Sequence, residues 1–70
     1  MDARRGDRVV LTRDFYPEIY SFAIRKGTKG TVTEVKESAF FGKSFFVKFE
    51  GQNEAIEINY NAFMDACSLI

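Results

Sequence analysis

Seventy residues, with ten Lys and Arg against ten Asp and Glu, 46% apolar and 16% aromatic, make one small neutral domain, since so short a chain cannot divide its apolar surface between two cores. A single cysteine, Cys67, rules out an internal disulfide, and without His a structural zinc site would need carboxylates for most of its ligands. Below roughly 70–80 residues a core seldom supplies more than about 3–5 kcal/mol unaided, so packing falls to eight Phe and three Tyr.

No basic segment followed by an apolar run opens the chain, and no stretch approaches about 20 apolar residues, so we expect a soluble, unexported, cytoplasmic protein with no membrane span. The lone thiol fits a reducing compartment. Charge is split along the chain. Residues 1–33 hold seven cations and four anions, a balance of +3, and residues 34–70 hold three cations and six anions, a balance of −3. Such a split builds a basic face on one side of a domain unless the strands of the two halves intermingle.

Met1–Arg5 reads as a short charged tail, with one domain over 6–70. Gly6-Asp7 opens a strand over Arg8–Arg13, in which Val9 and Leu11 share a face and Arg8, Val10 and Thr12 share the other. Asp14–Ala23 keeps neither helical nor strand period. Its Phe15, Tyr16, Ile19, Tyr20 and Phe22 are interrupted by Pro17, Glu18 and Ser21, and Pro17–Tyr20 is suited to one helical turn with Pro at its first position.

Ile24–Val35 carries the clearest punctuation. Gly27 and Gly30 bracket a tight turn that needs either positive φ or close backbone approach. Val32 and Val35 stand three apart, which predicts a bulge near Thr33-Glu34 that turns both inward and bends the strand. Lys36–Ser44, with Phe40-Phe41-Gly42, reads as a turn. The strand Phe45–Glu50 puts Phe45, Val47 and Phe49 on one face and Phe46, Lys48 and Glu50 on the other, and Gly51 ends it. After a hairpin-length connection, Ala55–Tyr60 alternates with Ile56, Ile58 and Tyr60 inward. Asn61–Ala66 predicts one helical turn with Asn61 as N-cap, and Cys67–Ile70 a last short strand.

These elements describe an all-β fold: a small SH3-like barrel of about five strongly bent antiparallel strands with a single helical turn before the last strand. Gly6-Asp7-Arg8-Val9-Val10-Leu11, Lys26–Val35, Phe46-Val47-Lys48-Phe49 and a final Ile-x-Ile strand resemble the small SH3-like barrels. That group includes KOW and Tudor-type domains, the stromal SH3-like subunit of photosystem I and the variable chain of ferredoxin–thioredoxin reductase. The resemblance spans about residues 6–70, and its short motifs, shared by many functions, imply the fold alone.

Chemistry is sparsely represented. With no His, no nucleophile elbow, no phosphate-binding glycine pattern and no Cys-His pair, we expect no enzyme, no cofactor and no metal. Glu54 and Glu57, three apart in an extended segment, point to opposite faces and cannot pair for acid–base work. Cys67 has no activating neighbour in sequence and reads as a small buried hydrophobe.

Binding is better supported. The aromatic residues exceed what one small core holds, so some reach the surface and serve as interface anchors. The candidate partner-binding residues are Tyr16, Tyr20, Phe40, Phe41 and Phe46, with Arg25, Lys26 and Lys29 as a charged rim that steers an acidic protein partner. The expected function is a non-catalytic protein-binding module, an accessory or regulatory subunit docking on a larger assembly. The competing reading, a KOW-like RNA- or DNA-binding module, draws on the same cations and on aromatics for base stacking, and the neutral total charge opposes it. A groove for PxxP ligands has less support, since the chain lacks the Trp that resemblance to true SH3 domains leads one to expect there.

Overall fold

The computed structural model describes residues 3–17, 22–40 and 42–70. Five strands and one helix follow in the order β1 (Arg8–Leu11), β2 (Lys29–Ser38), β3 (Gly42–Phe49), β4 (Ile56–Asn59), α1 (Tyr60–Ala66) and β5 (Cys67–Leu69). The strands form one antiparallel sheet in the order β4-β3-β2-β1-β5, which is not closed by a β4–β5 ladder. The result is a small all-β domain with one short helix.

Strict alternation builds the core. Phe45, Val47 and Phe49 of β3 are each 0–1% exposed, and β4 adds Ile56 and Ile58 on the same side. Val9 and Leu11 extend this face into β1, while half-buried Val10 lies on the other. The bulge falls where the valine spacing requires it. Val32 pairs Val47 and Glu34 pairs Phe46, leaving Thr33 out of the ladder, its hydroxyl donating to the Phe46 carbonyl at 3.2 Å. Val32 is buried and Val35 packs half-buried against the same cluster.

The two glycines of the basic segment divide the two reasons for glycine between them. Gly27 has φ +90° in the turn that returns to β1, its N–H donating to the Leu11 carbonyl. Gly30 lies inside β2, where an added Cβ would stand 2.9 Å from both Phe49 Cδ1 and Val47 Cγ1.

Several expectations shift. The expected turn over Lys36–Ser44 shrinks to the residues between Ser38 and Gly42, because β2 and β3 pair as far as Ser38↔Gly42. Lys36, Glu37 and Ser38 are all exposed, so this end of the hairpin has no inward face to mark it as strand. Helix α1 is capped by Asn59 and not by Asn61, with Asn59 Oδ1 accepting from the Ala62 N–H at 2.8 Å. Ile58 before that cap and Phe63 four residues into the helix, both buried, form the apolar staple that selects it. Tyr60 therefore leaves the inward series of β4 and begins the helix 41% exposed, its ring tilted against Phe45 at 6.4 Å between centroids. Ala3, expected in the tail, is 3% exposed, and Gly6 N–H donates to the Val32 carbonyl. The expected helical turn over Pro17–Tyr20 falls, at residues 18–20, outside the described residues.

The Asn59 cap yields a first prediction. Asn59→Ala leaves the Ala62 N–H without its acceptor and should cost about 0.5–2 kcal/mol, read as a lower urea midpoint with an unchanged m-value.

Candidate functional site

Helix α1 is held by Phe63, whose ring stacks on Phe45 at 4.1 Å between centroids and 21° between planes. This fixes the C-terminal end of β4 and the start of α1 against the start of β3. Beside them Phe15 forms a two-way bridge with Ile24, N–H to carbonyl at 2.8 Å in each direction, which sets Tyr16 and Pro17 alongside β4.

A cleft of about 400 Å³ results, with Phe15, Tyr16 and Pro17 on one side and Ile56–Asn59, Ser44 and Ala62 on the other. A second hollow, lined by Gly42, Lys43, Tyr60 and Asn61, shares Ser44 and Asn59 with it. The two make a continuous surface from Tyr16 to the β2–β3 hairpin.

Tyr16 on this surface is 71% exposed; Phe40, two residues before Gly42, is 92% exposed and lines neither hollow. Phe46 is half-buried on the outer face between Glu34 and Glu57, with Lys36 Nζ 5.1 Å from its ring centroid, so a cation covers part of it. Lys26 is tied to Asp14, whose Oδ1 accepts from the Lys26 N–H at 2.7 Å, and neither Arg25 nor Lys26 lines the cleft. Lys29 opens β2 and Phe40 lies past its other end, so the basic turn and the hairpin tip are at opposite ends of that strand. Tyr20 and Phe41 lie outside the described residues.

The sequence reading missed Tyr60, Asn59 and Ser44 as surface-lining residues. The Ile58–Phe63 staple was the signal available for placing Tyr60 on a helix and out of the core.

Opposite charges from the two halves of the chain meet: Arg8 pairs with Glu50 at 3.2 Å and Arg13 with Asp65 at 3.0 Å. All four side chains are well exposed, so these pairs tie the sheet weakly and consume cations that a basic face would need. Arg25, Lys26 and Lys29 make no ion pair among the described residues.

Metal-binding clusters and membrane-spanning helices are both absent among the described residues. No group of three or more His, Cys, Asp and Glu is placed to hold a metal. No helix is long and apolar enough to cross a membrane. Cys67 is buried, and desolvation pushes its thiol up to about 11 from an ordinary value of 9.0, which keeps it protonated and unreactive. The neutral thiol is favoured only in the folded state. That contribution is fully present below pH 9 and is lost as the pH rises through about 11, because the unfolded chain releases the proton first. Cys67→Ala should therefore flatten part of the fall in stability across this window, measured as the difference between the two urea-unfolding series.

No protein-family model, no curated protein and no solved structure gives a significant match to the chain.

Proposed function

We propose that the chain is an SH3-like barrel acting as a non-catalytic protein-binding module, an accessory or regulatory subunit that docks on a larger protein assembly. The strand order with β1 between β2 and β5, the bulge that bends β2 and the helical turn ahead of the last strand support the barrel. Its buried, unactivated thiol fits a reducing compartment such as the cytoplasm.

Exposure of Tyr16 and Phe40, at 71% and 92%, carries the docking reading, with Tyr16 lining the cleft and Phe40 two residues from Gly42 of the adjoining hollow. Large aromatic rings contribute little to folding when they stand in water, and they are the residue class that anchors interfaces. Arg25 and Lys26, in the turn held by Asp14, supply the charge that steers an acidic surface of the partner.

Tyr16→Ala and Phe40→Ala should each leave folding stability within about 0.5 kcal/mol of the parent. At least one should weaken capture of the native partner by about 2 kcal/mol, or roughly 30-fold. Unchanged capture by both variants would refute the docking surface.

The cations of the Arg25–Lys29 turn, which make no ion pair among the described residues, favour one second reading, an RNA- or DNA-binding module. A salt titration separates the two, since backbone binding falls steeply with salt and an aromatic protein interface does not.

A further inference from the structure

Ile56 and Ile58 face the core while Glu57 and Asn59 face outward, yet all four line the same cleft. Successive side chains of a strand point to opposite faces, so a hollow that touches all four runs along the edge of β4. β3 takes the other edge, from Val47↔Ile56 to Ser44↔Asn59, so the cleft follows the one that has no partner strand among the described residues. Across it, Phe15 has already committed its N–H and carbonyl to Ile24, and Pro17 has no N–H. That wall offers rings and no ladder. β4 carries neither Lys nor Pro nor a bulge, three of the devices that block an edge against pairing, and Glu57 is its one charge.

Charge selects the occupant. Glu57 is the one charged side chain among the described residues lining the cleft, it is exposed, and it makes no ion pair among the described residues. A second copy pairing β4 with β4 about a two-fold axis would bring two Glu57 side chains onto one short ladder, a repulsive arrangement.

The geometry points to an extended, basic partner segment that adds a strand to the free edge of β4. Its apolar side chains enter between Ile56, Ile58 and the rings of Phe15 and Tyr16, and a Lys or Arg meets Glu57. This rests on the protein-binding reading above and names the segment of the partner that the cleft takes.

The test uses three blocked octapeptides titrated into the isotope-labelled full chain and followed by amide chemical shifts. One alternates Val and Lys, one alternates Val and Glu, and the third is the Val/Lys peptide N-methylated at alternate residues. The Val/Lys peptide should move the amides of Ile56–Asn59 and Tyr16 and bind about tenfold more tightly than Val/Glu. N-methylation should abolish the shifts, because it removes the ladder donors. Glu57→Lys should reverse the charge preference, a gain that partial unfolding cannot produce.

Silence at β4 with every peptide at millimolar concentration, equal affinity for both charge types, or indifference to N-methylation overturns strand addition. So does sedimentation showing that the chain dimerises through β4. If Phe40→Ala abolishes partner capture while β4 stays silent, the docking reading stands and strand addition fails. If neither Phe40→Ala nor Tyr16→Ala affects capture while the Val/Lys peptide binds β4, the docking surface fails and the strand site stands.

Discussion

Gly30→Ala is expected to destabilise the domain by about 1–3 kcal/mol, lowering Tm by roughly 4–8 °C for each kcal/mol. The backbone at Gly30 is ordinary, so the effect is one of volume. The new methyl would meet Phe49 Cδ1 and Val47 Cγ1 at 2.9 Å and the Lys48 carbonyl oxygen at 3.0 Å. Phe49 and Val47 are fixed on both sides by the core, and the carbonyl belongs to the paired strand, so none of the three can retreat cheaply. Val47→Ala removes one of the obstructing atoms while opening a cavity of its own. The double variant should therefore cost clearly less than the sum of the singles in thermal unfolding. Additive losses would contradict the contact.

Phe63→Ala should remove about 3–5 kcal/mol, as much as a core of this size supplies in total, leaving the chain largely unfolded at 25 °C. The ring is fully buried and stacked on Phe45, and it is the main apolar anchor by which α1 holds to β3. Loss of the near-ultraviolet circular dichroism signal reads this directly. Phe63→Leu keeps most of the volume and should remain folded with a reduced Tm. A folded Phe63→Ala variant with unchanged β4 amide protection would show that the helix is dispensable to the sheet.

Much of the sheet could be read from the chain because its determinants are local. Phe45, Val47 and Phe49 alternate without interruption, and the three-residue spacing of Val32 and Val35 announces the bulge that the ladder contains. The hairpin end was illegible for an equally local reason. Lys36-Glu37-Ser38 and Gly42-Lys43-Ser44 have no apolar face, so no period distinguishes paired strand from turn. At Asn59-Tyr60-Asn61 two competent caps stood two residues apart, and packing between Ile58 and Phe63 decided between them.

The candidate surface was legible only in part. An excess of aromatics over core capacity foretold that some would be exposed, and Tyr16 and Phe40 are. Which strand keeps a free edge depends on the order of the strands, a property of pairings between distant segments, so the cleft along β4 had no signature in Ile56–Asn59 itself.

The pairing of β1 with β5 bears on synthesis. Val9 meets Leu69 and Leu11 meets Cys67, so the first strand made waits for the last before both its edges are covered. Until β5 leaves the ribosome, β1 exposes a row of unpaired amides beside Val9 and Leu11, whose final partners do not yet exist. Completion of the sheet thus waits for β5 and is governed by closure of the long span between the two strands, and folding should be slow for a domain this small. The nascent chain is most open to chaperone capture or aggregation in that interval.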